Sequence, residues 1–148
     1  MVFSKRSRYG IRALIDLAGD SECGCVQLSD IADRNSISVK YLEQIFTTLR
    51  KAGILRSIKG PQGGYLLAKK PEDIKIAEVV LALDGSYLLE AEESQGGEKG
   101  EAEALAVQTE IIEPINEQID HFLNTLTLKK LAECSEKYKA ASQDMYYI

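Results

Sequence analysis

The chain has 148 residues, of which 45% are hydrophobic and 28% charged, and its formal net charge is -5. That length suits one ordinary core with a small appendage, and the hydrophobic share excludes wholesale disorder. No signal-peptide pattern and no apolar run long enough to span a bilayer is present, so a soluble, cytoplasmic protein is expected.

The charge is unevenly spread. Residues 1–75 carry thirteen Lys or Arg against eight Asp or Glu, a net of +5, and residues 76–148 carry five against fifteen, a net of -10. A basic amino-terminal half suits a phosphate-facing surface, although an acidic solvated helix elsewhere would give the same sum.

In chain order, Ser4-Lys5-Arg6-Ser7-Arg8-Tyr9 opens a helix whose Tyr9, Ile11, Ala13, Leu14 and Leu17 form an apolar stripe. Cations at a helix N-terminus oppose its dipole, so this cluster invites an external anion such as phosphate; the plain alternative is a solvated end. Residues 20–24 read as a loop. It leads into Cys23-Gly24-Cys25, which with Cys134 are the only cysteines. Their spacing is not that of a paired CxxC zinc site, and a cytoplasmic chain is not expected to carry structural disulfides. They read as incidental thiols, with a thiol-oxidation switch or a metal site at Cys23, Cys25 and Cys134 as the alternative.

Residues 28–34 predict a short helix with Leu28, Ile31 and Ala32 inward, capped by Ser29 or Asp30. Asn35-Ser36-Ile37 forms the turn into a longer helix. Ser38 is its expected N-cap and Gly53 its stop, and Val39, Leu42, Ile45, Phe46, Leu49 and Ala52 are its buried face. Residues 54–58 and 65–68 predict the two strands of a hairpin. Its tip, Lys59-Gly60-Pro61-Gln62-Gly63-Gly64, is too rich in glycine to be the interior of an element.

Helix, turn, longer helix and hairpin make a winged helix-turn-helix, so the fold class is mainly α with a small β-hairpin wing, followed by a long dimerisation helix. In that architecture the second helix enters the DNA major groove and the wing reaches the flanking backbone or minor groove. Ser38, Lys40, Tyr41, Glu43 and Gln44 lie on the first turns, where base edges are reached. Glu43 can accept from a cytosine amino group and Gln44 can pair with adenine. Lys5, Arg8, Arg50 and Lys59 are the expected phosphate contacts, with Gly60, Gln62, Gly63 and Gly64 shaping the wing. The competing reading is an interaction module that uses the helix-turn-helix only for packing.

Beyond the wing, residues 69–73 read as a connector and residues 74–83 as a helix stopped at Asp84-Gly85, with Ile76, Val79, Val80 and Leu83 inward. Residues 86–103 hold six glutamates and three glycines and predict an acidic flexible linker or surface loop. From Ala104 to Asn124, Leu105, Ile111, Ile112, Ile115, Ile119, Phe122 and Leu123 recur at helical steps, interrupted by Pro114, which predicts a kink or one carbonyl without its partner. So large a stripe needs a partner surface. The same helix of a second chain is the simplest, making a homodimer, and packing onto its own domain is the alternative. The lone His121 reads as a helix-face residue.

Thr127 caps a last helix expected to run to about Lys139, and residues 140–148 form a tail ending in Met145-Tyr146-Tyr147-Ile148. The domain boundaries are thus 1–85 for the DNA-binding unit, 86–103 for the linker, 104–139 for the dimerisation region and 140–148 for the tail. Four large apolar groups beside a terminal carboxylate suit either burial in a dimer surface or capture by a second protein. With one histidine, no nucleophile-base set and no phosphate-binding glycine loop that opens a helix, no enzyme is expected.

The run YLEQIFTTLRKAGILRSIKGPQGGYLLAKKPEDI, with the opening SKRSRYGIRALIDLA, resembles the Rrf-two-type family of bacterial winged-helix regulators, densely over the first 85 residues and more thinly beyond. The resemblance implies a homodimeric DNA-binding transcriptional regulator, and it places the end of the first helix marked by Lys5, Arg8 and Tyr9 close to the DNA backbone. Ser7 stands where the family pattern has glycine. Cluster-binding members carry three closely spaced cysteines in the region of residues 86–103; this chain has none there, which implies no iron–sulfur cofactor. The branch that lacks those cysteines represses cysteine-metabolism genes and ends in a similar aromatic pair and isoleucine. Its partner is cysteine synthase (O-acetylserine sulfhydrylase). By that resemblance Tyr146, Tyr147 and Ile148 dock in the enzyme's substrate pocket.

Overall fold

The computed structural model describes residues 3–20, 24–93 and 99–146. Its elements are α1 (Lys5–Gly19), α2 (Leu28–Arg34), α3 (Val39–Lys51), β1 (Leu55–Ile58), β2 (Gly64–Leu67), a 3-10 turn (Pro71–Asp73), α4 (Ile76–Asp84), α5 (Glu101–Val107), a π-turn (Gln108–Ile112), α6 (Glu113–Thr125) and α7 (Leu128–Tyr146). Helices dominate, and the one sheet among the described residues is the antiparallel pair β1–β2.

The core forms where the inward faces of α1 to α4 meet. Ala13, Leu14 and Leu17 from α1, Ile31 and Ala32 from α2, Leu42, Ile45, Phe46 and Leu49 from α3, and Val79 and Val80 from α4 are buried together. Gly10 lets α1 and α4 approach: a Cβ there would lie 2.5 Å from Leu83 Cδ1 and 3.2 Å from Ile45 Cγ2. At the start of α1, Ser4 caps the helix by accepting from the Ser7 N–H at 3.1 Å, and its own hydroxyl donates to the Asp84 carboxylate at the end of α4.

Several expectations need correction. Helix α2 begins at Leu28 with Gln27 as N-cap and no side-chain cap bond, so Ser29 and Asp30, already inside its first turn, do not cap it. Val39 is 48% exposed and Ala52 is exposed; at the two ends of α3 the buried residues are Ile37 and Ile54 instead. Gly53 does end that helix, at φ +79. Helix α4 starts at Ile76 rather than Ile74, because residues 74–76 are extended and bonded to residues 126–128: Ile76 N–H to the Leu126 carbonyl and Leu128 N–H to the Ile74 carbonyl, each 2.9 Å.

Of the two readings of residues 86–103, linker or surface loop, residues 86–93 take the loop form, bonded to their own chain. Tyr87 is buried with its hydroxyl on Asp120, the Leu89 N–H donates to Asn116 Oδ1 at 2.7 Å while Asn116 Nδ2 donates to the Leu89 carbonyl at 3.1 Å, and the Glu92 N–H donates to Gln108 Oε1 at 2.8 Å. The segment is a strap along the helical run 101–125. That run changes from α to π geometry just ahead of Pro114. A π-turn precedes α6, leaving the proline in its first turn, where no amide hydrogen is needed. Finally, α7 carries on to Tyr146, so the expected tail is helical through residue 146; Tyr147 and Ile148 lie outside the described residues.

Of the proposed dimer stripe, Ile112 is buried in its own chain and Ile119 packs on its own core, because α6 lies across α4. Leu105, Ile111, Ile115 and Phe122 remain exposed, at 61%, 51%, 41% and 60%. His121 is exposed on α6, as a helix-face residue would be.

Candidate nucleic-acid interface

Three elements come together at one surface: the start of α1, the first half of α3 and the β1–β2 wing. Ser38 fixes where α3 begins by accepting the Tyr41 N–H at 3.1 Å, so its hydroxyl is used as a cap. Lys40, Glu43 and Gln44 follow on the exposed face. Tyr41 is half-buried, and its ring meets the Tyr9 ring edge to face at 6.0 Å between centroids, with an interplanar angle of 87°. One turn earlier on α1, Arg6 Nη2 donates to Thr48 Oγ1 at 2.7 Å.

Lys5 and Arg8 are exposed beside this contact. Arg8 folds back on the chain: Nε donates to the Phe3 carbonyl at 3.1 Å and the guanidinium lies 5.4 Å from the Phe3 ring centroid. Ser7 is buried, and its hydroxyl has no hydrogen-bond partner among the described residues.

The wing is braced on both sides. The register pairs Leu55 with Leu67 and Ile58 with Gly64, and the Gly63 N–H closes the tip onto the Gly60 carbonyl at 2.9 Å. Lys59, Gly60 and Gln62 are exposed. A Cβ on Gly63 would stand 2.1 Å from the Ile58 carbonyl oxygen, and one on Gly64 would stand 2.4 Å from that of Val26. The glycines are therefore required by close backbone approach. Val26 pairs with Tyr65 through both backbone bonds, at 2.9 and 2.8 Å, adding a third, single-bridge strand. Tyr65 packs edge to face on Phe46 of α3, 5.0 Å between centroids. Cys25 is half-buried, and its Sγ donates to the Gln62 carbonyl at 3.2 Å. Arg50 Nη1 reaches Ser57 Oγ on β1 at 3.4 Å.

Behind the interface, α1 holds the turn of the helix-turn-helix. Arg12 donates to the Asn35 carbonyl at 3.0 Å, Asn35 Nδ2 to Asp16 at 2.7 Å, and Arg34 to both Asp16 and Asp20 at 2.6 Å. Burial disfavours the Arg34 charge, and the bonds and charges of Asp16 and Asp20 outweigh it, so the guanidinium is held above its ordinary range. Ser36 adopts φ +53 in this turn.

Of the expected contact residues, Lys5, Arg8 and Tyr9 lie on α1, Ser38, Lys40, Tyr41, Glu43 and Gln44 at the cap and first half of α3, Arg50 in the last turn of α3, and Lys59, Gly60, Gln62, Gly63 and Gly64 in the wing. Sequence reasoning missed the links between them: Arg6–Thr48, Phe46–Tyr65 and Val26–Tyr65. Arg6 was visible within the basic cluster. The other two are long-range pairings that no local pattern announces.

A helix-turn-helix joined to a two-stranded wing, with a basic α1 beside it, defines a winged-helix DNA-binding transcriptional regulator. Comparison with known proteins makes this specific. Residues 3–134 match the Rrf2 family, described as iron-dependent transcriptional regulators. The HTH-type transcriptional regulator IscR of Klebsiella pneumoniae (strain 342) is 38% identical over 136 residues, 92% of this chain and 82% of that one. The structure of CymR (YrzC), the global cysteine regulator of B. subtilis, superposes with a TM-score of 0.74 at 31% identity, covering 90% of this chain and 97% of that one. An oxidized form of Staphylococcus aureus CymR does so with a TM-score of 0.70 at 32% identity, covering 90% and 97%. This chain belongs to the Rrf2 family of transcriptional regulators; it is not an enzyme.

The family's description raises iron. No cysteine falls in residues 86–103; Cys25 sits at the wing and Cys134 on α7, with Cys23 outside the described residues. The strap's backbone is bonded to Asn116 and Gln108. Among the described residues no three His, Cys, Asp or Glu side chains are grouped to hold a metal ion. These residues do not fit a thiolate-held cluster.

Proposed function

We propose that the protein is a homodimeric, cytoplasmic repressor of cysteine and sulfur-metabolism genes that binds operator DNA without an iron–sulfur cluster and is modulated by complex formation with cysteine synthase (O-acetylserine sulfhydrylase). The observation that carries the sulfur reading is the cysteine-free 86–103 segment in a chain that superposes on CymR over nearly its full length. The base-reading surface is Lys40, Tyr41, Glu43 and Gln44, with Lys5, Arg8, Arg50 and Lys59 on phosphates.

Self-association is favoured by apolar surface left uncovered in the single chain, with Phe122 common to an exposed ridge and the groove beside it. Leu105, Ile111, Ile115 and Phe122 form an exposed apolar ridge. An apolar groove of 710 Å³ lies between α1, α4, α6 and α7, lined by Phe3, Ile11, Val80, Phe122 and Leu126 among others. A second copy covers this surface, and a two-fold dimer implies a palindromic site.

The enzyme partner enters through Tyr146, Tyr147 and Ile148, the last three residues of the sequence. If the tail and O-acetylserine occupy one pocket, each lowers the other's affinity, and sulfur status is passed to the DNA. The test is selection of bound DNA from a random pool, run with and without cysteine synthase and O-acetylserine. A palindromic site whose occupancy the enzyme raises and O-acetylserine lowers is expected. Enrichment indifferent to both excludes the partner, and no enrichment excludes the operator surface.

A second reading is favoured by the Cys25 Sγ–Gln62 contact. Oxidation of this thiol removes its donor and adds bulk against the wing tip, so peroxide would release DNA. Peroxide sensitivity that survives Cys25→Ser excludes this switch.

A further inference from the structure

Two contacts fasten α1 to the recognition helix, and Gln44 stands between them. On one side Tyr9 meets Tyr41 edge to face, and on the other Arg6 Nη2 holds Thr48 Oγ1 at 2.7 Å. Residues 41, 44 and 48 are three and seven steps apart and share one stripe of α3. The Thr48 hydroxyl in turn donates to the Gln44 carbonyl at 3.2 Å, so a single chain of bonds runs from Arg6 through Thr48 to the backbone of Gln44.

We propose that Arg6 is a positioning residue for base recognition: by holding Thr48 it sets the rotation of α3 and hence the angle at which Gln44 meets a base edge. This rests on the reading of Gln44 as a base contact. The environment of Arg6 argues against a role in stability alone. Its Nε is buried and has no hydrogen-bond partner among the described residues, which costs free energy that an apolar side chain of similar length would not. Nor does Arg6 stand free as a phosphate contact, because Nη2 is spent on Thr48 and the side chain is half-buried, whereas Lys5 and Arg8 on either side are exposed. The planar guanidinium fixes direction as well as distance, which a lysine ammonium does not.

The reach of the effect follows from geometry. A bidentate amide-to-adenine pair needs both hydrogen bonds aligned, and a small rotation of α3 forfeits one of them while leaving phosphate contacts on other elements in place. Loss of the strut therefore reduces discrimination at one base pair and spares overall affinity for unrelated DNA.

The experiment uses an operator selected by the full-length protein, with each base pair varied in turn, and compares Thr48→Val, Arg6→Lys, the double variant and Gln44→Ala. Thr48→Val and Arg6→Lys preserve net charge. Each is expected to lower discrimination about tenfold at the same base pair that Gln44→Ala affects, with an unchanged salt slope; the double variant should be no worse than either single one. Uniform weakening on all sequences with a shallower salt slope would make Arg6 a phosphate contact and overturn the proposal. So would unaltered discrimination in Arg6→Lys and Thr48→Val while Gln44→Ala still loses it, or additive losses in the double variant. If Gln44→Ala itself changes nothing, the base-contact reading fails first, and this inference falls with it.

Discussion

Phe46 and Tyr65 lie edge to face, 5.0 Å between ring centroids, and so pack the wing directly on the recognition helix. Phe46 is fully buried, whereas Tyr65 is half-buried and paired with Val26 through its backbone. Tyr65→Leu keeps apolar volume and backbone bonds but loses the aromatic geometry, so a coupling of about 0.5 to 1.5 kcal/mol with Phe46→Leu is expected in a double-mutant cycle by urea unfolding. Simple additivity would show that the two rings do not cooperate.

The wing's glycines make a separate prediction. A methyl group on Gly64 would meet the Val26 carbonyl and one on Gly63 the Ile58 carbonyl, both backbone atoms that cannot swing aside. Gly64→Ala should break the Val26–Tyr65 bridge and destabilise the fold by about 1 to 3 kcal/mol. Gly63→Ala distorts only the tip, so its loss should appear in DNA affinity with the unfolding midpoint nearly unmoved. Equal DNA affinities for Gly63→Ala and wild type would remove the wing from the interface.

The helix-turn-helix and its wing were legible because they are local: a capped helix with apolar steps at Leu42, Ile45, Phe46 and Leu49, a glycine stop at Gly53, and a glycine-rich tip between two short apolar runs. How residues 86–93 are held was not legible, because their acidic composition describes what solvent sees and says nothing of the backbone bonds offered by Asn116 and Gln108, 27 and 16 residues on. The ends of α3 were overcalled for a related reason. Periodicity marks Val39 as inward, but it does not show that Ile37 and Ile54, just beyond the helix ends, are buried instead. Ile112 and Ile119 show the same limit, since one stripe serves both the chain's own core and an outward ridge, and periodicity cannot divide it.

Tyr87 links stability to alkaline pH. The hydrogen bond to Asp120, then burial and the carboxylate charge, raise its pKa above the ordinary value of 10.0, while Asn124 opposes them. The folded state thus retains a proton that the unfolded state releases. Its contribution is fully present below the unfolded pKa and is lost as pH rises from there through the folded pKa. Tyr87→Phe should lower stability at neutral pH and flatten that alkaline fall relative to wild type, measured by urea unfolding between pH 8 and about 11. Parallel curves for the two proteins would show that Asp120 does not hold the phenol.

Groove-edge and phosphate contacts predict opposite phenotypes. Lys59→Ala and Lys5→Ala each remove one exposed cation, so they should weaken all sequences alike and reduce the salt slope by about one unit. Gln44→Ala removes no charge, so it should leave the salt slope alone and relax preference by about 1 to 3 kcal/mol at one base pair. Selected-operator binding at several salt concentrations separates the two. Wild-type behaviour of all three variants would place the interface elsewhere.

The apolar ridge carries the last prediction. Ile111 and Phe122 are more than half exposed, and solvated side chains of that size on one helix expose apolar area that a second copy would cover. Replacing Ile111 by Glu buries nothing in the single chain, because its side chain already faces outward, so the monomer fold should survive with its helical content intact. In a dimer the same carboxylate would be pressed into an apolar contact without a partner, a cost of several kcal/mol against association. Sedimentation at micromolar concentration should therefore give a dimer for the wild type and a folded monomer for Ile111→Glu. Binding to a two-fold operator should fall with dimerisation, while each half-site is still bound weakly by the monomer. A wild-type monomer, or a variant dimer as tight as wild type, would rule out this ridge as the interface.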